Sequence, residues 1–117
     1  MSVQQQTTKM EAETSAHQMM PPINQLTLRR LAEELGKGWQ AIANHLGIKN
    51  ASIAIQQVMA DYPGDIKEQI FQILMKWMTS FHGVSENRQQ MGEELINALT
   101  KLQRGDLVAI YQEGKLN

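Results

Sequence analysis

The sequence predicts an all-α domain, a compact antiparallel bundle of about six short helices. In successive segments, apolar residues recur at the i, i+3, i+4, i+7 spacing of one helix face. Glycine, proline or a capping residue separates these segments at short intervals. No stretch alternates apolar and polar residues with the period of two that a strand requires. We therefore expect helices joined by short connections and no sheet.

Composition narrows the class of protein. The 117 residues include 12 acidic and 11 basic side chains, a net charge of −1, which argues against sequence-independent binding to nucleic-acid phosphates. The absence of cysteine excludes disulfides, thiolate metal sites and cysteine catalysis, and it fits a reducing compartment. No apolar run approaches the roughly 20 residues of a membrane span, and no secretory signal is recognisable. We expect a cytoplasmic protein without membrane insertion.

The N-terminal segment, residues 1–22, is predicted to be a disordered tail. It is rich in Gln, Thr and Glu and has almost nothing to bury. A short linear interaction motif with Met19–Met20 as its apolar end is the alternative. Pro21–Pro22 forces extended backbone and marks the edge of the domain, which we expect over residues 23–114. Residues 115–117 are expected to fray.

The first two helices share the pattern [LW]-x-x-[LI]-A-x-x-L-G. Asn24 is a candidate N-cap for a helix over Gln25–Leu35. The second helix runs from Trp39 to Gly47, where a left-handed residue ends a helix at no steric cost. Their predicted apolar faces are Leu28, Leu31, Ala32 and Leu35 in the first helix, and Trp39, Ile42, Ala43 and Leu46 in the second.

The next two helices differ in the clarity of their patterns. Asn50 precedes a short third helix, roughly Ala51–Ala60, with apolar positions at Ile53, Ile55, Val58 and Met59. The fourth helix opens at Asp65, whose spacing to Glu68 resembles a capping box, and it is predicted to end at Gly83. Its face contains Ile66, Ile70, Ile73, Leu74, Trp77 and Phe81, widened by Phe71, Met75 and Met78. Such a wide face predicts a central helix, buried on more than one side.

Two further helices complete the predicted bundle. Ser85 is the candidate cap of a fifth helix, roughly Glu86–Gln103, and Asp106 caps a short sixth helix. The predicted inward residues are Met91, Leu95, Ala98, Leu99 and Leu102, followed by Leu107, Ile110 and Tyr111.

Residues with catalytic or metal-binding chemistry are scattered. His17, His45 and His82 lie far apart in the sequence, and none has a second His at the i+3 or i+4 spacing typical of metal sites. The adjacent pairs Glu33–Glu34 and Glu93–Glu94 diverge by about 100° on a helix, so neither pair can share one proton-transfer site. The sequence contains no phosphate loop after a strand and no nucleophile elbow. We therefore expect no enzymatic activity, no metal and no cofactor.

One motif favours an alternative, a helix-turn-helix DNA-binding domain. Ala43, Gly47 and Ile53 have the spacing at which a small residue, a turn glycine and a buried branched residue join two helices. Gln56–Gln57 in the second of these helices could contact adenine edges. That helix has no basic residue after Lys49, so its anchoring to phosphates would be poor.

Several segments resemble death domains. Leu35–Ile48, LGKGWQAIANHLGI, resembles their LG-x-x-W-x-x-L-A-x-x-L-G-L signature. Asp65–Trp77 is similar to their fourth helix, with its capping acid, Glu-Gln pair and terminal Trp. Glu93–Leu107 resembles their fifth helix running into the sixth. The resemblance covers roughly Ile23–Glu113 and implies a six-helix antiparallel Greek-key bundle.

The resemblance also implies a function, that of a signalling adaptor in apoptosis or innate immunity. Caspase-recruitment and death-effector domains are close alternatives, but the paired Trp39 and Trp77 favour a death domain. Such domains bind other death domains, of the same or another protein, and build helical oligomers that gather kinases or caspases. Near-zero net charge with both signs suits this mode, because opposite patches steer docking. Neither nucleic acid nor a cofactor is implied.

The resemblance places contacts on several unlike patches. The first patch, on the second and third helices, comprises Gln40, Asn44, Lys49 and Gln56. The complementary patch, on the first and fourth helices, comprises Arg29, Arg30, Asp65 and Glu68. The second patch, near the fourth-to-fifth connection and the start of the sixth helix, comprises His82, Glu86, Arg88 and Asp106. A further contact uses the third helix and nearby loops.

Overall fold

The computed structural model describes residues 20–36, 38–81 and 87–116. Within these ranges the chain forms six helices and no strand, which confirms the predicted all-α class. The helices are α1 (Gln25–Leu35), α2 (Gln40–His45), α3 (Ala51–Asp61), α4 (Ile66–Thr79), α5 (Arg88–Lys101) and α6 (Gly105–Gln112). The predicted disorder of the N-terminal tail concerns residues 1–19, which lie outside the described residues.

The N-terminus of α1 shows how local sequence sets a helix boundary. The Asn24 side chain accepts a hydrogen bond from the Thr27 backbone amide at 3.1 Å. In return, the Thr27 hydroxyl accepts one from the Asn24 amide at 3.2 Å. This reciprocal capping box satisfies amides that the helix itself leaves unpaired. The predicted range of α1 is confirmed to the residue.

The core is organised around α4, which packs against α1, α2 and α3, most extensively against α1. A second group of contacts joins α5 to α2 and α6. Trp39 and Trp77 are both buried. The four predicted apolar residues of the second helix are buried as expected, although α2 itself begins at Gln40 with Trp39 as its N-cap. Gly47 follows with φ of 72°, the left-handed conformation that the sequence predicted.

The predicted inner face of α3 is wrong at two positions. Ile53 is 63% exposed and Met59 is 43% exposed. The residues that α3 buries are Ala51, Ala54 and Val58. Because α3 carries apolar residues around its circumference, periodicity alone did not distinguish its two sides. Two of the buried residues are alanines, whose small side chains allow close packing against the neighbouring helices.

The predicted limits of the other helices need smaller corrections. Ile66 lies on the predicted face of α4 but is 49% exposed, since it occupies the first turn. The fourth helix ends at Thr79, and the predicted boundary residues Gly83 and Ser85 lie outside the described residues. The last helix begins at Gly105, and its N-cap is Arg104, two residues before the expected cap Asp106.

Both predicted domain edges lie too far inward. At the N-terminus, Met20 packs against the core, and Pro21 accepts a hydrogen bond through its carbonyl from the Tyr111 hydroxyl at 2.8 Å. A Cβ added to Gly92 would lie 2.5 Å from Cγ of Met20, so a larger residue there would displace Met20 where this segment crosses α5. At the C-terminus, Leu116 is buried, which contradicts the fraying expected there. The folded unit therefore includes Met20–Pro22 and extends to Leu116.

Candidate protein-interaction surfaces

The complementary patch is built by the contact between α1 and α4. Nη1 of Arg29 on α1 lies 2.8 Å from Oε1 of Glu68 on α4. The same guanidinium lies over the Phe71 ring, with its central carbon 3.6 Å from the ring centroid. A cation above an aromatic face and beside a carboxylate is held by two attractions at once. The structure therefore brings Arg29 and Glu68 together as an ion pair between α1 and α4.

Glu68 is the best-connected side chain of this patch. Its Oε2 accepts a hydrogen bond from Nε2 of Gln72 at 2.8 Å, one turn further along α4. Its backbone amide donates to Oδ1 of Asp65 at 3.2 Å, which confirms Asp65 as the helix cap. The hydrogen bonds from Gln72 and from Arg29 stabilise the carboxylate and hold the pKa of Glu68 below its usual value.

The remaining charges of the complementary patch face solvent. Arg30 is exposed on α1, next to the paired Arg29, and Asp65 is exposed at the start of α4. The Asp65 carboxylate accepts the capping bond through one oxygen only. Arg30 and Asp65 are thus the residues of this patch whose charges are best placed to contact a partner.

All four residues of the first patch are exposed. Gln40 and Asn44 are four residues apart and so share one face of α2. Lys49 lies in the turn after α2, and Gln56 lies on the outer side of α3. The surface is composed of amides and one cation, which are groups that bind a polar or acidic partner surface.

A large open groove adjoins the first patch. It has a volume of about 1130 Å³ and lies between the α2–α3 turn, the end of α4 and the start of α5. Lys49 and Lys76 line it together with Glu94. Glu94 is engaged internally, because its oxygens accept hydrogen bonds from the Trp77 indole at 3.1 Å and the Gln90 amide at 3.0 Å. The lysines are therefore the charged groups of the groove best placed to meet an incoming molecule.

The second patch is only partly described. His82 and Glu86 lie outside the described residues, and Arg88 is half-buried at the start of α5. Asp106 pairs with Arg104 through two bonds, from Nε at 3.1 Å and from Nη2 at 3.0 Å. This pairing lowers the pKa of Asp106 and raises that of Arg104. The structure thus gives Asp106 an internal partner and does not bring it together with Arg88 through any described bond.

The role of Arg104 was not predicted from the sequence. Its Nη1 donates to the Leu35 carbonyl at 3.0 Å, and its Nη2 donates to the Glu34 carbonyl at 3.2 Å. These carbonyls end α1, so Arg104 caps that helix and ties it to α6. The partners are about 70 positions apart in the sequence, so no local pattern pointed to the contact.

Two kinds of feature, a metal-ligand cluster and a membrane-spanning helix, are absent from the described residues. Among them, no group of three or more His, Cys, Asp or Glu side chains could hold a metal ion. In the same part of the chain, no helix has the length and apolar character to cross a membrane. The described surface presents exposed polar and charged side chains on its helices.

Comparison with known families adds the decisive observation. The family model described as Death domain matches residues 25–114.

The chain belongs to the death domain family.

The resemblance found in the sequence is thereby confirmed, and the six helices form a death-domain fold. Comparisons with curated proteins and with solved structures gave no match. Members of the family are non-enzymatic modules that bind other death-domain proteins in signalling. The helix-turn-helix alternative fails at Ile53, because the branched side chain that such a motif buries is exposed here.

Proposed function

We propose that this death domain is a non-catalytic interaction module of a signalling adaptor, acting in the cytoplasm in apoptosis or innate immunity. It associates with other death domains, of its own or another protein, and the complexes extend into oligomers. The observation that carries the proposal is the family match over residues 25–114. The exposed charges of the first and complementary patches support it.

The two patches differ in a way that favours unlike contacts. The first patch offers amides and the cation of Lys49, whereas the complementary patch offers Arg30 and the carboxylate of Asp65. Docking the first patch of one molecule on the complementary patch of another brings Lys49 toward a carboxylate. A contact between unlike surfaces leaves each molecule with one of each surface unused, so the assembly grows without closing.

The Arg29–Glu68 pair has a supporting part in this proposal. It is held in place by Phe71 and Gln72 before any partner arrives, so little side-chain entropy is lost when the surface is covered. Arg29 retains further N–H donors beyond the one bonded to Glu68. The second patch, with Arg88, Asp106, His82 and Glu86, is proposed as an additional contact.

Charge reversal tests the proposal. Arg30→Glu and Lys49→Glu should each weaken association at least about tenfold, because each places a charge of the wrong sign in the contact. Association is measured by light scattering coupled to size exclusion, over a concentration series and with a panel of death domains. Lys101→Glu, an equal charge change at the end of α5, is the matched control and should bind as the wild type does.

The pathway is tested separately, by capture of partners from cell lysate and mass spectrometry. Enrichment of death-domain proteins that is lost with Arg30→Glu would support the adaptor role. If the chain stays monomeric at all concentrations and with every death domain tried, the proposal is wrong.

A further inference from the structure

The outer face of α3 carries no charged side chain along most of its length. From Ala51 to Ala60 the helix has no Asp, Glu, Lys or Arg. Two of the four large apolar side chains that the described residues leave exposed, Ile53 and Met59, lie on this helix. Between them lies Gln56, also exposed. An apolar face of this kind, with an amide at its centre, is typical of a contact surface.

Four of the exposed residues of α3 are arranged symmetrically about Gln56. At about 100° per residue, Ser52 and Ala60 lie about 40° to either side of Gln56, and Ile53 and Met59 about 60° to either side. Each pair is also equally distant from Gln56 along the helix. If two such helices pack antiparallel around a twofold axis at Gln56, Ile53 of one copy lies level with Met59 of the other. Ser52 then lies level with Ala60, and these small side chains permit close approach of the two helices.

We propose that the outer face of α3 binds the same face of a second copy of this chain in an antiparallel, twofold-symmetric contact. A second copy is the occupant that the observations favour, because an uncharged face meets itself without the like-charge repulsion that identical charged faces suffer. The two Gln56 amides face each other at the axis, where each has both a donor and an acceptor to offer.

The charges at the ends of α3 favour the antiparallel direction. Lys49 precedes the helix and Asp61 is its last residue, and both are exposed. Antiparallel packing brings the basic end of one copy toward the acidic end of the other, twice in each pair. Parallel packing would place like charges together at both ends.

The contact is small, which bounds its strength. A helix of 11 residues is roughly 16 Å long, so the area buried falls below the standard interface of about 1,600 Å². The pairing is therefore weak for free molecules and becomes effective when another contact holds the copies near each other. It goes beyond the proposed function, which joins unlike surfaces. Since Gln56 and Lys49 also belong to the first patch, the like contact links two assemblies through first patches that the unlike contacts leave unused.

The test uses paired charges at the symmetry axis. In the full chain, Gln56→Glu alone and Gln56→Lys alone should each weaken self-association at least about tenfold, because each places two like charges face to face. A one-to-one mixture of the two variants should regain at least the wild-type association, and added salt should weaken that mixed pair. Association constants come from sedimentation equilibrium over a wide concentration range.

Matched controls separate the contact from general effects. Gln57→Glu and Gln57→Lys make the same chemical changes about 100° around α3 from Gln56, on the side that borders α4. They should weaken self-association far less than the Gln56 variants do. Ile53→Ser should weaken it, whereas Leu26→Ser, at a similarly exposed apolar position on α1, should not. Circular dichroism verifies that the variants keep their helices.

Three results would overturn the proposal. The first is a wild-type chain that stays monomeric up to its solubility limit. The second is self-association of the Gln56→Glu or Gln56→Lys variant alone that equals the wild type's. The third is a mixture of these two variants that does not regain the wild-type association. Because Gln56 also belongs to the first patch, the same series is run in the Arg30→Glu background, which weakens the unlike contact and leaves the α3 face intact. Recovery of association by the mixed Gln56 variants in that background supports the like contact whether or not the proposed function holds.

Discussion

Helices α3 and α4 are neighbours in sequence and in space, yet they relate to the solvent in opposite ways. The apolar residues of α4 converge on one broad face, and from Ile70 onward that face is covered. In α3 the branched Ile53 faces outward while two alanines face inward. The size of an apolar side chain therefore does not reveal its direction unless polar residues mark the opposite side.

The largest effect expected from this comparison concerns α4. Ile70→Ala removes a fully buried branched side chain and leaves a cavity between α4 and its neighbours. The free energy of unfolding should fall by about 2–5 kcal/mol, measured by urea denaturation. A loss below about 1 kcal/mol would show that α4 is not the central helix.

Removing a hydrogen bond between α4 and the end of α3 should have the next largest effect on stability. Gln69 is buried on α4, and its Nε2 donates to the Tyr62 carbonyl at 2.7 Å, where α3 ends. Gln69→Leu keeps the bulk but removes this donor. Because the Tyr62 carbonyl still accepts from the Asp65 amide at 3.1 Å, the free energy of unfolding should fall by about 0.5–1.5 kcal/mol. The exposed Gln57→Leu on α3 is the control, and equal losses from the two variants would contradict the assignment.

Lowering the pH should have a smaller effect on stability, through Glu68 at the start of α4. The folded-state pKa of Glu68 lies below its ordinary value of 4.5 because Gln72 and Arg29 hydrogen-bond the carboxylate. This stabilisation is complete above about pH 4.5 and is lost as the pH falls through the lower folded-state value. Since the pair is partly exposed, it should contribute less than about 1 kcal/mol.

The measurement compares the melting temperature of wild type and Glu68→Gln from pH 7 to pH 2. The difference in melting temperature should shrink as the pH falls, because protonation of Glu68 removes from the wild type the charged carboxylate that the variant already lacks. Asp106, whose pKa is also lowered, contributes equally to both curves. A difference that stays constant with pH would exclude an electrostatic origin.

The smallest effect is expected on the outer side of α3. Ile53→Ala alters a side chain that is already exposed to solvent, so the free energy of unfolding should change by no more than about 0.5 kcal/mol. It is measured in dilute solution, where the proposed self-association is absent. A loss comparable to that of Ile70→Ala would place Ile53 in the core, on the inner face that periodicity predicts for α3.

The sequence by itself determined the class of fold, the family and most of the core. The capping box of Asn24, the left-handed glycine after α2 and the wide face of α4 are local features, and local interactions within a few residues decide them. The resemblance carried by Leu35–Ile48 and Asp65–Trp77 lies in the sequence alone, and the match to the family model agrees with it.

Tertiary structure decided which charges are paired and which apolar residues remain outside. Arg29 pairs with Glu68 on another helix, and Arg104 caps α1 from about 70 positions away. Met20 and Leu116 join the core although each lies beyond a predicted edge. These outcomes depend on the approach of segments distant in sequence, and the direction of α3 depends on which of its sides the other helices cover. Periodicity describes a helix alone, whereas burial is a property of its neighbours.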